Sequence, residues 1–349
     1  MEYEVFFPQP WQAGAVNGLL HLEHINVCAP SQEPVKQFYF DALGFAPDPR
    51  RVHNIDKGSG TIWANIGTSQ IHLPEGESQV VPGTVGVVYP DLIEVVSRLK
   101  EGRHDVLEGT KFAWKEDNYG TVHVTCPYGN KYHLHTRTNS MATPDFGEPN
   151  HQGGPRLLLD PRGGRLPGPS ALGLGIAYVD FRVKRGTAPG IGRFYQEVFG
   201  SEVRLIDPEE CAAIGDQLGR AASGGRLAQE ARAGVVVRVG PAQHLGFWEP
   251  AAGEEDVLPE YDGHHICVYL SDEGFRRSFK EAERRGIVFI NPRPNYGKAD
   301  TLERAVDEQQ YRVKDMIDPI SGERLHELEH EIRSVSHPSY PVAKDLSLE

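Results

Sequence analysis

Two short stretches of this chain repeat each other: Phe38-Tyr39-Phe40-Asp41-Ala42-Leu43-Gly44 and Phe194-Tyr195-Gln196-Glu197-Val198-Phe199-Gly200. Each closes an amphipathic segment with glycine just past its end, where a left-handed residue stops a helix. Each also follows an alternating, strand-like run, 22–27 in the first case and 177–183 in the second. The two halves of the chain therefore begin alike. A fainter copy lies inside each half, where 84–89 runs into a helical stretch over 91–102 and 264–270 runs into a helix ending at Arg284-Arg285-Gly286. Short strands follow, among them 60–66, 69–73, 121–125 and 131–135. The order strand, helix, three strands appears four times. A parallel βαβ sheet is the alternative, but successive short strands with tight turns fit antiparallel meanders better.

The 349 residues suit two domains of ordinary size. The segment 137–170 is dense in Gly, Pro and Asn and reads as a linker between domains at 16–136 and 171–335. A formal net charge of −13 argues against nucleic acid or an anionic membrane as a partner. With an acidic start, Met1-Glu2-Tyr3-Glu4, and no apolar run of membrane-spanning length, a cytoplasmic location is expected. Four cysteines without a CxxC spacing read as reduced and structural. The 15 histidines are more telling, because several stand in apolar strands where a polar ring needs a reason to be.

With the repeat, the helix Phe38-Tyr39…Leu43-Gly44 and the turn Cys126-Pro127-Tyr128-Gly129-Asn130, the chain resembles the vicinal oxygen chelate superfamily, which includes glyoxalases, bleomycin-resistance proteins and extradiol dioxygenases. Asp318-Pro319-Ile320-Ser321-Gly322 repeats that turn with one residue more. The resemblance implies an α+β fold of four βαβββ modules forming two paired-module, glyoxalase-like domains. It also implies metal ligands on the first and last strands of each module in a pair. In the first domain those points fall on His24, His72 and His133, with Gln70, His135 and Asn26 as neighbours of the metal or contacts for substrate. The remaining point offers only Thr84 or Val85. Strand alternation points Glu23 and Glu75 away from His24 and His72.

Imidazoles suit Fe, Zn, Mn or Ni, and three ligands leave positions open for a substrate oxygen. In the second domain the alternative set is Asp180, His265 and either His326 or Glu327, the last two being equally placed by count from Gly322. The expected function is a metal-dependent lyase, isomerase or dioxygenase acting on a small oxygen-bearing substrate. The alternative is a resistance-type protein that binds a small molecule without chemistry.

Overall fold

The computed structural model describes residues 18–339 apart from 68, 103, 118–119, 137–170, 207–232, 241–242, 252 and 293–297. The expected linker and Cys211 lie outside the described residues. Module one comprises β1 (Leu19–Asn26), α1 (Gln32–Val35, continued as wide π-type turns over Lys36–Ala42), β2 (Ala46–Pro47), α2 (Val52–Lys57), β3 (Ile62–Ile66) and β4 (Ser69–Leu73). Module two comprises β5 (Gly83–Tyr89), α3 (Ile93–Glu101), β6 (Ala113–Glu116), β7 (Val122–Thr125) and β8 (Lys131–Thr136). Module three comprises β9 (Gly175–Arg182), α4 (Ala188–Phe194, continued over Tyr195–Phe199), β10 (Val203–Ile206), β11 (Gly234–Gly240) and β12 (Gln243–Trp248). Module four has β13 (His265–Leu270), α5 (Asp272–Arg284), α6 (Leu302–Glu308), β14 (Gln310–Ile317) and β15 (Arg324–Ser334). An isolated bridge from Val288 to Val313 stands where the other modules have their second strand.

Local chemistry accounts for the helix ends. Ser271 caps α5 by accepting the Gly274 amide at 3.1 Å, with Asp272 and Glu273 in the first turn, where the helix dipole favours anions. Thr301 caps α6 in the same way. Gly200 ends α4 in the left-handed conformation at φ 71°.

The modules pair across the chain. One sheet runs β14-β15-β13-β1-β4-β3-β2 and the other β10-β11-β12-β9-β5-β8-β7-β6. The sequence expectation places ligand points on modules one and two together, whereas strand pairing joins one to four and two to three, through antiparallel β1–β13 and β5–β9. The repeated Phe-Tyr pairs link neighbouring modules instead. Tyr39 OH lies 2.7 Å from Tyr132 OH on β8, and Tyr195 OH lies 2.6 Å from His330 Nε2 on β15. Helix packing thus ties one to two and three to four, while hydrogen bonding ties the other combination. The apolar backs of both sheets and the inner helix faces form one core that runs from Leu22 and Ile71 through Phe194 to Ile332. No helix among the described residues is long and apolar enough to cross a membrane. Cys28, Cys126 and Cys267 are free and buried.

Candidate metal centre

Strand register brings residues from both ends of the chain onto one face of the seven-stranded sheet. His24 is opposite Cys267 and beside Gln70, Asn26 is opposite His265 and beside His72, and Cys267 is beside Glu331. Paired positions share a face, so these side chains converge. A register shift in β1 between Leu22 and His24 adds one more residue to that face. Alternation points Glu23 away from His24. The bulge corrects this and sets the Glu23 carboxylate 2.8 Å from His24 Nδ1.

Glu23 is fully buried, and it also accepts from Tyr269 OH at 2.7 Å and from Arg333 Nη1 at 2.8 Å. Held among these donors, it fixes the His24 proton on Nδ1 and leaves the lone pair on Nε2. That Nε2 is buried and has no hydrogen-bond partner. His265 and Glu331 supply what it lacks. One atom each from His24, His265 and Glu331 lie within 4.8 Å of one another, and His265 Nε2 is 3.6 Å from Glu331 Oε2. Cys267 forms a similar group with Glu23 and His24, in which the Glu23 carboxylate serves His24, Tyr269 and Arg333.

The electrostatics match a metal's demands. Burial pushes His24 down to about 3 and His265 down to about 4, so both rings are neutral at physiological pH. Burial raises Glu331, but Arg333 and Arg312 more than offset it and hold the carboxyl well below the usual range. Two neutral imidazoles and one carboxylate, with an orphaned nitrogen among them, therefore fit a divalent ion.

His72 stands beside this set as the filling of a sandwich. Its ring stacks on His24 at 3.7 Å and on Trp63 at 4.4 Å, and Arg51 covers the far face of Trp63 at 4.1 Å. Gln70 Oε1 lies 2.8 Å from His72 Nε2, while its amide donates to Asp48 and Asn65. Asn26 is buried with its amide nitrogen unpartnered.

His133 lies in the other sheet, with His135. Tyr178 OH is 3.3 Å from His133 Nδ1 and 2.8 Å from His135 Nε2, and the His123 ring packs on His133 at 4.4 Å. The structure thus joins His24 and His72 with His265 rather than with His133. Rings fill the second sheet's face. The Tyr178 ring lies so close over Gly86 that a Cβ there would sit 2.1 Å from it, and Trp248 overlies Gly246 in the same way. Asp180, on β9 of the other sheet from His265, accepts from Trp248 Nε1 at 2.9 Å. Glu327 is taken up by Lys314 and Arg324, and His326 lies in a separate cleft described below.

Asp180 has a measurable signature. Burial raises its pKa from 3.8 to about 8, against a smaller opposing pull from the Trp248 hydrogen bond. Between those values the unfolded chain has lost a proton that the folded chain keeps, so Asp180 makes stability fall as pH rises. Asp180→Asn retains the acceptor for Trp248 and removes the titration. Its stability advantage over wild type should grow by on the order of a few kcal/mol between pH 4 and pH 8 in urea unfolding. A gap that stays constant with pH refutes this assignment.

Four strand–helix–strand modules, with ligand-type residues on first and last strands, make up the architecture. The fold is α+β, with two mixed sheets. No family model matches the chain, and no curated protein does. Among solved structures it is similar to glyoxalase I from Zea mays, at 10% identity and a TM-score of 0.47 over 90% of this chain and 92% of that one. It is also similar to a Bacillus subtilis protein described as a candidate dioxygenase, at 14% identity and a TM-score of 0.48 over 96% of this chain and 89% of that one. A third likeness, to a glyoxalase, bleomycin-resistance and dioxygenase superfamily member from Sphaerobacter thermophilus, covers 34% of this chain and 98% of that one. Its identity is 18% and its TM-score 0.24.

Proposed function

We propose that this chain is a metal-dependent enzyme acting on a small oxygen-bearing substrate, with the ion held by His24, His265 and Glu331. The observation that carries the reading is the group His24, His265 and Glu331, whose ligand atoms lie within 4.8 Å of one another, together with the buried, unpartnered Nε2 of His24. A divalent ion at this point would act as a Lewis acid toward a substrate oxygen or, if iron, toward dioxygen.

The chain's own residues do the rest. Glu23 orients His24, and Arg312 and Arg333 keep Glu331 ionised and fixed. Among the described residues near the site, Glu23, Glu329 and Glu331 are each paired with a guanidinium. A carboxylate so engaged is a poor proton acceptor, which disfavours isomerase chemistry that needs a general base. Two histidines and one carboxylate with open positions form the donor set of non-haem iron oxygenases, so dioxygenase chemistry is the better-supported branch.

Metal analysis tests the assignment. After anaerobic reconstitution with Fe(II), wild type and His133→Ala should each retain close to one equivalent at this site, and His265→Ala less than roughly a tenth. Retention by His265→Ala with loss in His133→Ala would overturn the site. Absence of metal from reconstituted wild type would favour the non-catalytic binding alternative.

A further inference from the structure

A cleft opens between the segment 258–264 that leads into β13 and the start of β15. There His264 stacks on Phe181 at 6.4 Å, and His326 of β15 meets the same ring edge-on at 6.4 Å. Both histidines line a cavity of about 380 Å³, together with Val80, Pro82, Lys184 and Tyr261.

His264 is 3% exposed, and its Nδ1 lies 2.6 Å from Asp262 Oδ1. Asp262 is itself anchored, since Oδ2 accepts the Val80 amide at 2.6 Å and Oδ1 accepts the His264 amide at 3.2 Å. Burial raises the Asp262 pKa, but the hydrogen bonds from the His264 ring and the Val80 amide outweigh it and hold the carboxyl below its usual value. An ionised carboxylate only accepts, so the His264 proton sits on Nδ1 and Nε2 offers a lone pair. That Nε2 is buried without a partner, and so is the Nε2 of His326. A buried polar atom left unpaired costs about 1–3 kcal/mol, and two of them at one cavity point to a guest.

We infer that this cleft is a second metal site, in which His264 Nε2 and His326 Nε2 take a divalent transition-metal ion of the zinc class and Asp262 orients His264. The fixed tautomer narrows the guests to a proton donor or a Lewis acid, because His264 Nε2 can accept but cannot itself donate. A pair of imidazoles, one backed by a carboxylate, matches the ligands that zinc, nickel and copper prefer. Burial pushes His326 down to about 4, which leaves its ring neutral for binding. The cleft shares no ligand with the His24 centre. Two protein ligands leave the other positions to water or to a small molecule that fills the cavity.

Zinc binding by the full chain, measured by competition with a chromophoric chelator, separates the two sites. In a His24→Ala background, which disables the first centre, about one equivalent should remain, and adding His326→Ala should reduce it below roughly a tenth. His326→Gln, closer in volume, should give the same loss if the ring nitrogen is the ligand. Asp262→Asn should weaken binding about 10- to 100-fold. Zinc uptake by His24→Ala/His326→Ala equal to that of His24→Ala alone would overturn the inference. A His24→Ala chain with the wild-type stoichiometry would count against the first centre, while the loss at His326 would still decide the second.

Discussion

Glu331→Gln should lose the metal and about 3–5 kcal/mol of folding stability, the usual penalty for removing one partner of a buried charge cluster. The Glu331 carboxylate is almost wholly buried, with Arg333 on one oxygen and Arg312 on the other. Glutamine removes the anion and leaves both guanidinium groups in place. Glu329 still faces Arg312, and Glu23 still faces Arg333 at 2.8 Å, so the loss should fall at the lower end of that range. Because the folded pKa of Glu331 lies below its ordinary 4.5, its contribution is present above that pH and fades as pH falls through the folded value. Urea unfolding at neutral pH and again below pH 4.5 should therefore show a gap between variant and wild type that narrows on acidification. A variant as stable as wild type at neutral pH would mean that the guanidinium pairs do not hold the site together.

A comparably large effect is expected at Gly83. An added Cβ would lie 1.7 Å from the Asp180 carbonyl oxygen, 2.7 Å from its carbon and 3.1 Å from Phe181 Cα. All three are backbone atoms of β9, paired in register with β5. No side chain can swing aside to relieve the clash, so β5 must part from β9, and that pairing joins modules two and three. Gly83→Ala should cost about 3 kcal/mol or more. Gly58 is the informative contrast, because its backbone is left-handed at φ 73° but nothing lies within 4 Å of an added Cβ. Gly58→Ala should cost only about 1 kcal/mol of backbone strain. Thermal unfolding of the two variants side by side checks the difference, and equal losses would contradict it.

Much of the architecture was legible because its signals are local. The Phe-Tyr helices, the glycine stops and the alternating strands are written within windows of a dozen residues, and His24, His72 and His265 fall on strands that alternation identifies. Which modules share a sheet is a different kind of information. β1 and β5 both alternate, and nothing in either says that β1 will pair with β13 or β5 with β9. For that reason His133 is well placed on its own strand yet belongs to the other sheet. Glu331 was hidden by length. β15 runs for eleven residues, and counting from Gly322 stops at His326 or Glu327, two or three residues short of the stretch that lies beside β13 and further still from Glu331. Glu23 was hidden by the bulge, since one extra residue in a strand reverses which side chains face the site and leaves no mark on composition. The resemblance names Asp180 as a candidate ligand, but its own strand marks it, like Tyr178, only as a polar group among apolar residues, which says that it is buried and not what it touches.

The swapped pairing of modules has a consequence for how the protein comes to exist. Arg333 and Glu23 meet at the metal face although 310 residues separate them along the chain. Contacts of that span close late, because the entropy of a very long loop must be overcome before they form. During synthesis, modules one and two can assemble their helix contacts early, but β1 has to wait for β13 and β15 with its flank unpaired. The proposed ion-binding set therefore cannot exist on a partly made chain, and uptake of an ion there would report that the whole topology has closed.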